Sequence, residues 1–397
     1  MTDFAATKAQ FHLPEGMIYL DGNSLGPLPR ATAARVAKTV EQEWGDMLIT
    51  GWNKAGWMDK PMRVGDRIAR LIGAEEGHVV MGDTLSIKVY QALASCLEMN
   101  PTRKIILSDT GNFPSDLYMA EGLCRTLGQG YELKTVAPED VLEAIDETVA
   151  VAMITEVDYR TGRRHDMAAI TARAHEKGAL AIWDLAHSAG AFQVELAKCN
   201  ADFAVGCTYK YLNSGPGGPA FIYVAPRHAD TARPALSGWQ GHAAPFAFDL
   251  DYRPATGAER MRVGTPPILQ LAALEASLDI WDTVDMAALR KASLALQDQY
   301  IAGVEAACPT LTLATPRDHA LRGSQVSFRH AQGYAIMQAM IARGVIGDFR
   351  APDIIRCGFT PLFIDATDVA RAIAIIADIM QNNLWDRPEY KTRAKVT

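Results

Sequence analysis

No stretch of the 397 residues approaches the run of about 20 apolar residues that a membrane helix requires. The opening MTDFAATKAQFHLPEG lacks the apolar core of a secretion signal. A membrane partner is therefore not expected, and the chain should stay in the cytoplasm. Positive charge is scarce as well. Lys and Arg number 39 against 46 Asp and Glu, a formal net charge of -7, and no basic block occurs, so nucleic acid and anionic lipid surfaces are poor partners. Small molecules are the better expectation. The only cysteines are Cys96, Cys124, Cys199, Cys207, Cys308 and Cys357; none forms a C-x-x-C pair, and all sit in apolar segments. That pattern suits reduced core thiols and indicates neither a disulfide framework nor a metal site. Gly at 31 and Pro at 20 are near average, which removes collagen-like and disordered chains.

What is present is a hydrophobic content of 49%, enough for a sizeable core. Short apolar, β-branched runs recur at 78–81, 104–107, 149–157, 179–183, 201–205 and 220–224. Several are too continuously apolar for half-exposed strands, so they predict buried strands of a largely parallel sheet. Amphipathic stretches at 85–98, 116–127 and 167–177 lie between them, and this alternation predicts an α/β fold with helices on both faces. After about residue 283 the texture changes to a long helix over 286–307, two short strands near 311 and 326, and helices near 333 and 367. The first 45 residues are helical and turn-rich, without a strand series of their own. The expected organisation is a large α/β domain over 46–285 and a smaller α+β domain from 1–45 together with 286–397.

Four motifs carry chemistry. Gly22-Asn23-Ser24-Leu25-Gly26 matches the G-x-S-x-G pattern of a hydrolase nucleophile elbow. Almost no sheet precedes it, and Pro27 and Pro29 interrupt the following turns, so a glycine-rich turn lining a site is the plainer reading. Asp184 closes the apolar run 181–183 with His187 three residues on, at the strand edge where open α/β sheets bind ligands. Alone, the pair reads as a helix N-cap and a core histidine. Lys210 stands between Tyr209 and Tyr211 at the next strand end, entering Asn213-Ser214-Gly215-Pro216-Gly217-Gly218. Most lysines are solvated, but an amine held there is partly stripped of water and becomes nucleophilic toward an aldehyde. Together Asp184 and Lys210 supply what pyridoxal phosphate needs, an amine for its aldehyde and a carboxylate for its ring nitrogen. Gly82-Asp83-Thr84-Leu85-Ser86 opens a helix after a strand, so it offers N–H donors for a phosphate as well as an ordinary N-cap.

With these residues in view, the sequence resembles the kynureninases, aminotransferase-like members of the fold-type I pyridoxal phosphate enzymes. The motifs carrying the likeness are 20–26 (LDGNSLG), 112–116 (NFPSD), 183–190 (WDLAHSAG), 208–213 (TYKYLN) and 264–266 (GTP), in the family's order and spread from about 20 to 360. The resemblance implies a mostly parallel mixed sheet with a smaller α+β domain. It implies Lys210 as the cofactor-bonding amine, Asp184 as partner of the ring nitrogen, Phe113 stacked on the ring with Asp116 beside it, and Thr155 and His187 lining the cofactor. Thr84, the N–H of Leu85 and the Tyr209 hydroxyl would hold the phosphate. Leu85 stands where relatives often carry a hydroxyl, so only its backbone donor remains.

The same likeness implies a homodimer with shared sites, Trp239 and Thr265 reaching in from the second subunit. Arg356 matches the arginine for the substrate's α-carboxylate, with Arg350 close enough in sequence to be confused with it. Asn23, Ser24 and Trp52 complete the implied substrate set, and Trp52 and Trp57 are either an aromatic wall over an aniline ring or two core tryptophans. The implied activity is hydrolytic Cβ–Cγ cleavage of L-kynurenine to anthranilate and L-alanine, in tryptophan catabolism, with Lys210, Asp184 and Tyr209 in the chemistry; 3-hydroxykynurenine remains an open second substrate. Rival readings are a cysteine desulfurase or other lyase on the same fold, for which Cys357 is the candidate thiol, a serine hydrolase through Ser24, and a cofactor-sensing regulator, for which no basic helix-turn-helix segment is left over.

Overall fold

The computed structural model describes residues 2–393. Its centre is a seven-stranded sheet of β1 (Val79–Met81), β2 (Ile105–Asp109), β3 (Glu132–Val136), β4 (Val149–Thr155), β5 (Leu180–Asp184), β6 (Phe203–Gly206) and β7 (Phe221–Val224). The spatial order is β1-β7-β6-β5-β4-β2-β3. Neighbours from β3 to β6 are parallel, and β7 runs antiparallel to both β6 and β1. All seven residues of β4 are buried because both faces of the sheet are covered. Successive side chains feed opposite layers: Ile182, Val205 and Ile222 pack with the helix α1 (Leu85–Met99), while Trp183, Ala204 and Tyr223 join the core that holds Leu274 and Trp281.

The edge strand β3 is the one the sequence conceals. Its residues Glu132-Leu133-Lys134-Thr135-Val136 are exposed or half-exposed throughout, so no apolar run marks it. The N-terminal segment also departs from its expected lack of strands. Phe11–His12 pairs with Leu28–Pro29, and Ile18–Tyr19 pairs in parallel with Val345–Ile346. Two-residue strands are too short to carry a period. The long helix α2 (Met286–Ala307) starts where Asp285 accepts N–H bonds from Ala287 and Ala288 at 3.0 and 3.1 Å. Beyond it the sheet has four antiparallel strands where two were expected: Thr312–Leu313 and Gln325–Arg329 are joined by β8 (Asp348–Arg350) and β9 (Ile354–Gly358).

Beside the N-terminal end of β6 a buried charge cluster ties the sheet to its surroundings. Asp202, 1% exposed, accepts from His175 Nε2 at 2.8 Å, His228 Nε2 at 2.7 Å, Arg227 Nη2 at 2.7 Å and the Ala181 N–H at 2.8 Å. Burial alone would raise this carboxyl, but His175, His228 and the Ala181 N–H hold it well below the carboxylate range. A depressed carboxylate contributes stability above its unfolded value near 3.9 and loses it only as pH falls below that. Asp202→Asn is therefore expected to cost about 1 to 3 kcal/mol at neutral pH, because it removes the buried acceptor shared by His175, His228, Arg227 and the Ala181 N–H. The midpoint of urea unfolding measures it, and a midpoint equal to wild type would deny the cluster that role.

Candidate active site

The C-terminal edges of β4, β5 and β6 converge on one cavity of 570 Å³. Parallel register sets Thr155 beside Asp184, and both line it. Four residues after β6, Lys210 enters the same space, 3.0 Å from His187 Nε2, with its Nζ 5.8 Å from the Phe113 ring centroid. The ring of Phe113 is 43% exposed and lies on the cavity wall, braced edge-on by Tyr159 at 5.1 Å. An aromatic face left uncovered beside a cavity suits a flat ring. Gly26 brings the N-terminal turn against this wall: its N–H bonds the Tyr209 carbonyl at 2.8 Å, and a Cβ there would lie 2.4 Å from the Lys210 carbonyl.

Electrostatics separates the two carboxylates. Asp116 lies fully buried beside Asp184, close enough for the two carboxyl groups to share a hydrogen bond. Burial pushes both acids up, and the neighbouring Asp184 drives Asp116 further. Asp184 is favoured as the anion, since it faces Lys210 and accepts the Ala186 N–H at 2.8 Å. Asp116 carries the proton. His187, 4% exposed, is driven well below its ordinary value by burial and by Lys210, so it is a neutral imidazole. The Cys207 sulfur and burial push the Tyr209 phenol up, keeping it a proton donor at neutral pH.

On the same sheet edge, just past the end of β1, Thr84, Leu85 and Ser86 bring the N-terminus of α1 to the cavity, preceded by Gly82 at φ 150° and Asp83 at φ 56°. The first N–H groups of a helix have no carbonyl within it, so they face the cavity as anion donors. Flat apolar face, amine, buried acid and N–H cradle together fit pyridoxal phosphate, with Thr84 and the Leu85 N–H for its phosphate, Lys210 for its aldehyde and Asp184 for its ring nitrogen.

The far wall carries Ser24, Arg350 and Arg356. Ser24 Oγ donates to Asp348 at 2.5 Å and receives Arg356 Nη2 at 2.6 Å and Arg350 Nη2 at 3.1 Å. A serine engaged this way, on a turn outside the sheet, is not a hydrolase nucleophile. Cys357 is likewise excluded as a reactive thiol. It sits beside Arg356 in sequence but points the other way along β9, buried 3.5 Å from the Tyr300 hydroxyl. The cavity's thiol is Cys207, 3% exposed and directly after the end of β6.

Four expected residues lie elsewhere. Asn23 is fully buried, packed where a Cβ on Gly358 would meet its Oδ1 at 2.1 Å. Trp52 packs edge-on against Trp57 at 5.6 Å, and the Trp57 indole donates to Glu43 at 3.0 Å, so the pair forms a packing unit away from the cavity. Trp239 is 43% exposed and Thr265 is exposed in a separate small cleft. Conversely, sequence reasoning passed over Asp348, Tyr159, Cys207 and Ser86. Asp348 left a readable trace, since Asp348 and Arg350 alternate on one strand and so share a face.

The fold and this site define a fold-type I pyridoxal phosphate enzyme. The chain superposes on the cysteine desulfurase CsdA from Escherichia coli with a TM-score of 0.81 at 16% identity, covering 96% of this chain and 99% of that one. A C-DES mutant with glycine covalently linked to its cofactor gives 0.79 at 17% identity, covering 95% and 100%. Identities so low speak for the fold alone. Sequence relatives narrow the class. Kynureninase from Pseudomonas fluorescens is 51% identical over 99% of this chain and 96% of its own length, and that from Burkholderia pseudomallei (strain 1106a) is 50% identical over the same shares. Residues 289–376 match the kynureninase C-terminal domain. The chain belongs to the kynureninase family: a pyridoxal-phosphate-dependent hydrolase acting on a carbon–carbon bond.

Proposed function

We propose that this cavity cleaves the Cβ–Cγ bond of L-kynurenine by hydrolysis, giving anthranilate and L-alanine, with the residues above in the following roles. Bound pyridoxal phosphate supplies an aldehyde that bonds amines and a ring that accepts the electron pair left at Cα. Lys210 would hold the aldehyde and, when free, would take the proton from the substrate's Cα. His187, 3.0 Å from Nζ, keeps the amine aimed. Asp184 holds a proton on the ring nitrogen, and the protonated Asp116 beside it leaves that charge single. Thr84, the Leu85 N–H and Tyr209 would hold the phosphate, Phe113 and Thr155 would line the ring's place, and Arg356 would take the α-carboxylate. Water would add at the γ-carbonyl, the Cβ–Cγ bond would break with its electron pair left at Cβ, Tyr209, a donor at neutral pH, would give Cβ a proton, and Lys210 would return the proton to Cα.

The observation that carries this reading is that Lys210 and Asp184, from separate strand ends, share one cavity with Arg356 on its opposite wall. Purified enzyme incubated with L-kynurenine should release anthranilate and L-alanine in equal amounts, and no sulfide from cysteine. Absence of anthranilate, or sulfide release, contradicts it. Comparing kcat/KM for kynurenine and 3-hydroxykynurenine fixes the ring preference, which we place with the unsubstituted ring.

We place the active form as a homodimer. Trp239 packs against Phe246, which is 62% exposed, and Phe246 against Phe248, which is 79% exposed; Thr265 is exposed as well, and a second copy covering these residues would carry Trp239 and Thr265 to the neighbouring cavity. Sedimentation velocity checks the stoichiometry. All six cysteines are unpaired, which suits the cytoplasm, and among the described residues no helix is long and apolar enough to cross a membrane. We read 46–285 as the cofactor domain, and 1–45 with 286–397 as the smaller one.

Substrate affinity should fall in alkaline solution. Burial and the charge of Asp348 push the Asp21 carboxyl up to about 8. Its charged or titratable neighbours are Asp348, Arg350, Arg356, Tyr19, Tyr211 and Cys357. Below pH 8 Asp21 is neutral; above it, a new negative charge opposes the substrate's carboxylate. KM for kynurenine is expected to rise on the order of tenfold above that pH, and Asp21→Asn should remove the rise. A rise that persists in the variant assigns it to another group.

A further inference from the structure

Arg356 is 1% exposed, and its guanidinium is already engaged on one side. Nε donates to Asp348 Oδ1 at 2.7 Å and Nη2 donates to Asp348 Oδ2, a two-pronged grip on a single edge. Nη1 donates to the Tyr159 carbonyl at 2.5 Å, and Nη2 also reaches Ser24 Oγ at 2.6 Å. Of five N–H groups, one on Nη1 is left over, and the one on Nη2 rests on a hydroxyl that can turn away. Arg356 and Ser24 line the cavity, whereas Asp348 is 1% exposed and lies behind them. The cross-strand register sets this up, for Asp348 stands directly opposite Arg356 where β8 pairs with β9.

We propose that Asp348 is the positioning residue of the α-carboxylate subsite, gripping the rear edge of Arg356 so that its Nη1–Nη2 edge faces the cavity. The proposal rests on Arg356 taking the substrate's carboxylate and adds which group aims it. Arg350 Nη2 lies 2.6 Å from the same Asp348 oxygen, so one carboxylate organises both arginines. The guanidiniums hold Asp348 below the ordinary range although burial alone would raise it. Two cations on one anion leave the cluster one positive charge in surplus, which a carboxylate neutralises. Ser24 is the exchangeable member: its oxygen accepts from Arg356 until the substrate replaces it, while its proton stays on Asp348.

The test compares kynurenine with kynuramine, the same molecule without its α-carboxylate, on cofactor-loaded enzyme whose absorbance reports binding. In Asp348→Asn the affinity for kynurenine is expected to fall about 10- to 100-fold, with kcat changed far less and kynuramine affinity unchanged. Asp348→Glu, which keeps the charge but moves it by a methylene, is the second variant should the first fail to fold. For either variant, selective loss of kynurenine supports the proposal, and equal losses of both ligands, or no loss, overturn it. Arg356→Gln separates the underlying reading. If Arg356→Gln abolishes the preference for kynurenine while the Asp348 variants keep it, only the role of Asp348 falls; if Arg356→Gln keeps it too, Arg356 is not the carboxylate partner.

Discussion

Replacing Lys210 by alanine is expected to lower turnover of L-kynurenine by about 10⁴-fold or more and to abolish the visible absorbance of the bound cofactor. Both effects follow from one amine with two jobs. In the proposed role it would bond the cofactor's aldehyde at rest, which would produce the colour, and in turnover would be the base at Cα, a role worth about 10² to 10⁴ by itself. No second amine replaces it, because Lys88 is fully buried on the helix behind, spent on Asp83, Gln91 and the Met261 carbonyl at 2.9 to 3.0 Å. Absorbance spectra and a stopped anthranilate assay measure the two effects separately. A variant that stays yellow and active would take Lys210 out of the reaction.

Asp184→Ala, measured at saturating cofactor, is expected to reduce kcat by about 10² to 10³, well beyond any loss of cofactor affinity. An ionised acid at the ring nitrogen keeps that nitrogen protonated and the ring able to take electrons; without it the sink is weak. Asp116 sets the size of the effect. Its carboxyl is raised by burial first and by Asp184 second, so deleting Asp184 relieves part of the repulsion but leaves it buried and mostly neutral. Asp184→Asn should resemble the alanine variant, since the shape is kept and the charge is lost. Unchanged kcat in both would place the ring nitrogen's partner elsewhere.

The buried strands were legible because a two-sided core forces continuous apolar runs, as at 149–155, and the helix at 286–307 because Asp285 caps it. That residues from several strand ends share the cavity was legible for a related reason. Parallel strands end on one edge, so Thr155, Asp184 and the loop to Lys210 had to meet there. What stayed hidden depends on pairings with no local period. Asp348 faces Arg356 across a short turn, and β8, three residues long, carries no strand period beyond the alternation of Asp348 with Arg350. Cys357 drew notice by adjacency to Arg356, yet strand geometry sends neighbours to opposite sides. Asn23 belongs to a glycine-rich motif that fills space beneath Gly358, and Trp239 and Thr265 lie on a surface that one chain leaves open.

The most direct test of the account is chemical. Reducing the cofactor-loaded enzyme with borohydride fixes pyridoxal phosphate to whichever amine carries it, and peptide mass mapping then reads the position. The label is expected on Lys210 alone, in the Thr208–Asn213 segment, at one equivalent per chain. A label on any other lysine, or none at all, would contradict the site built here.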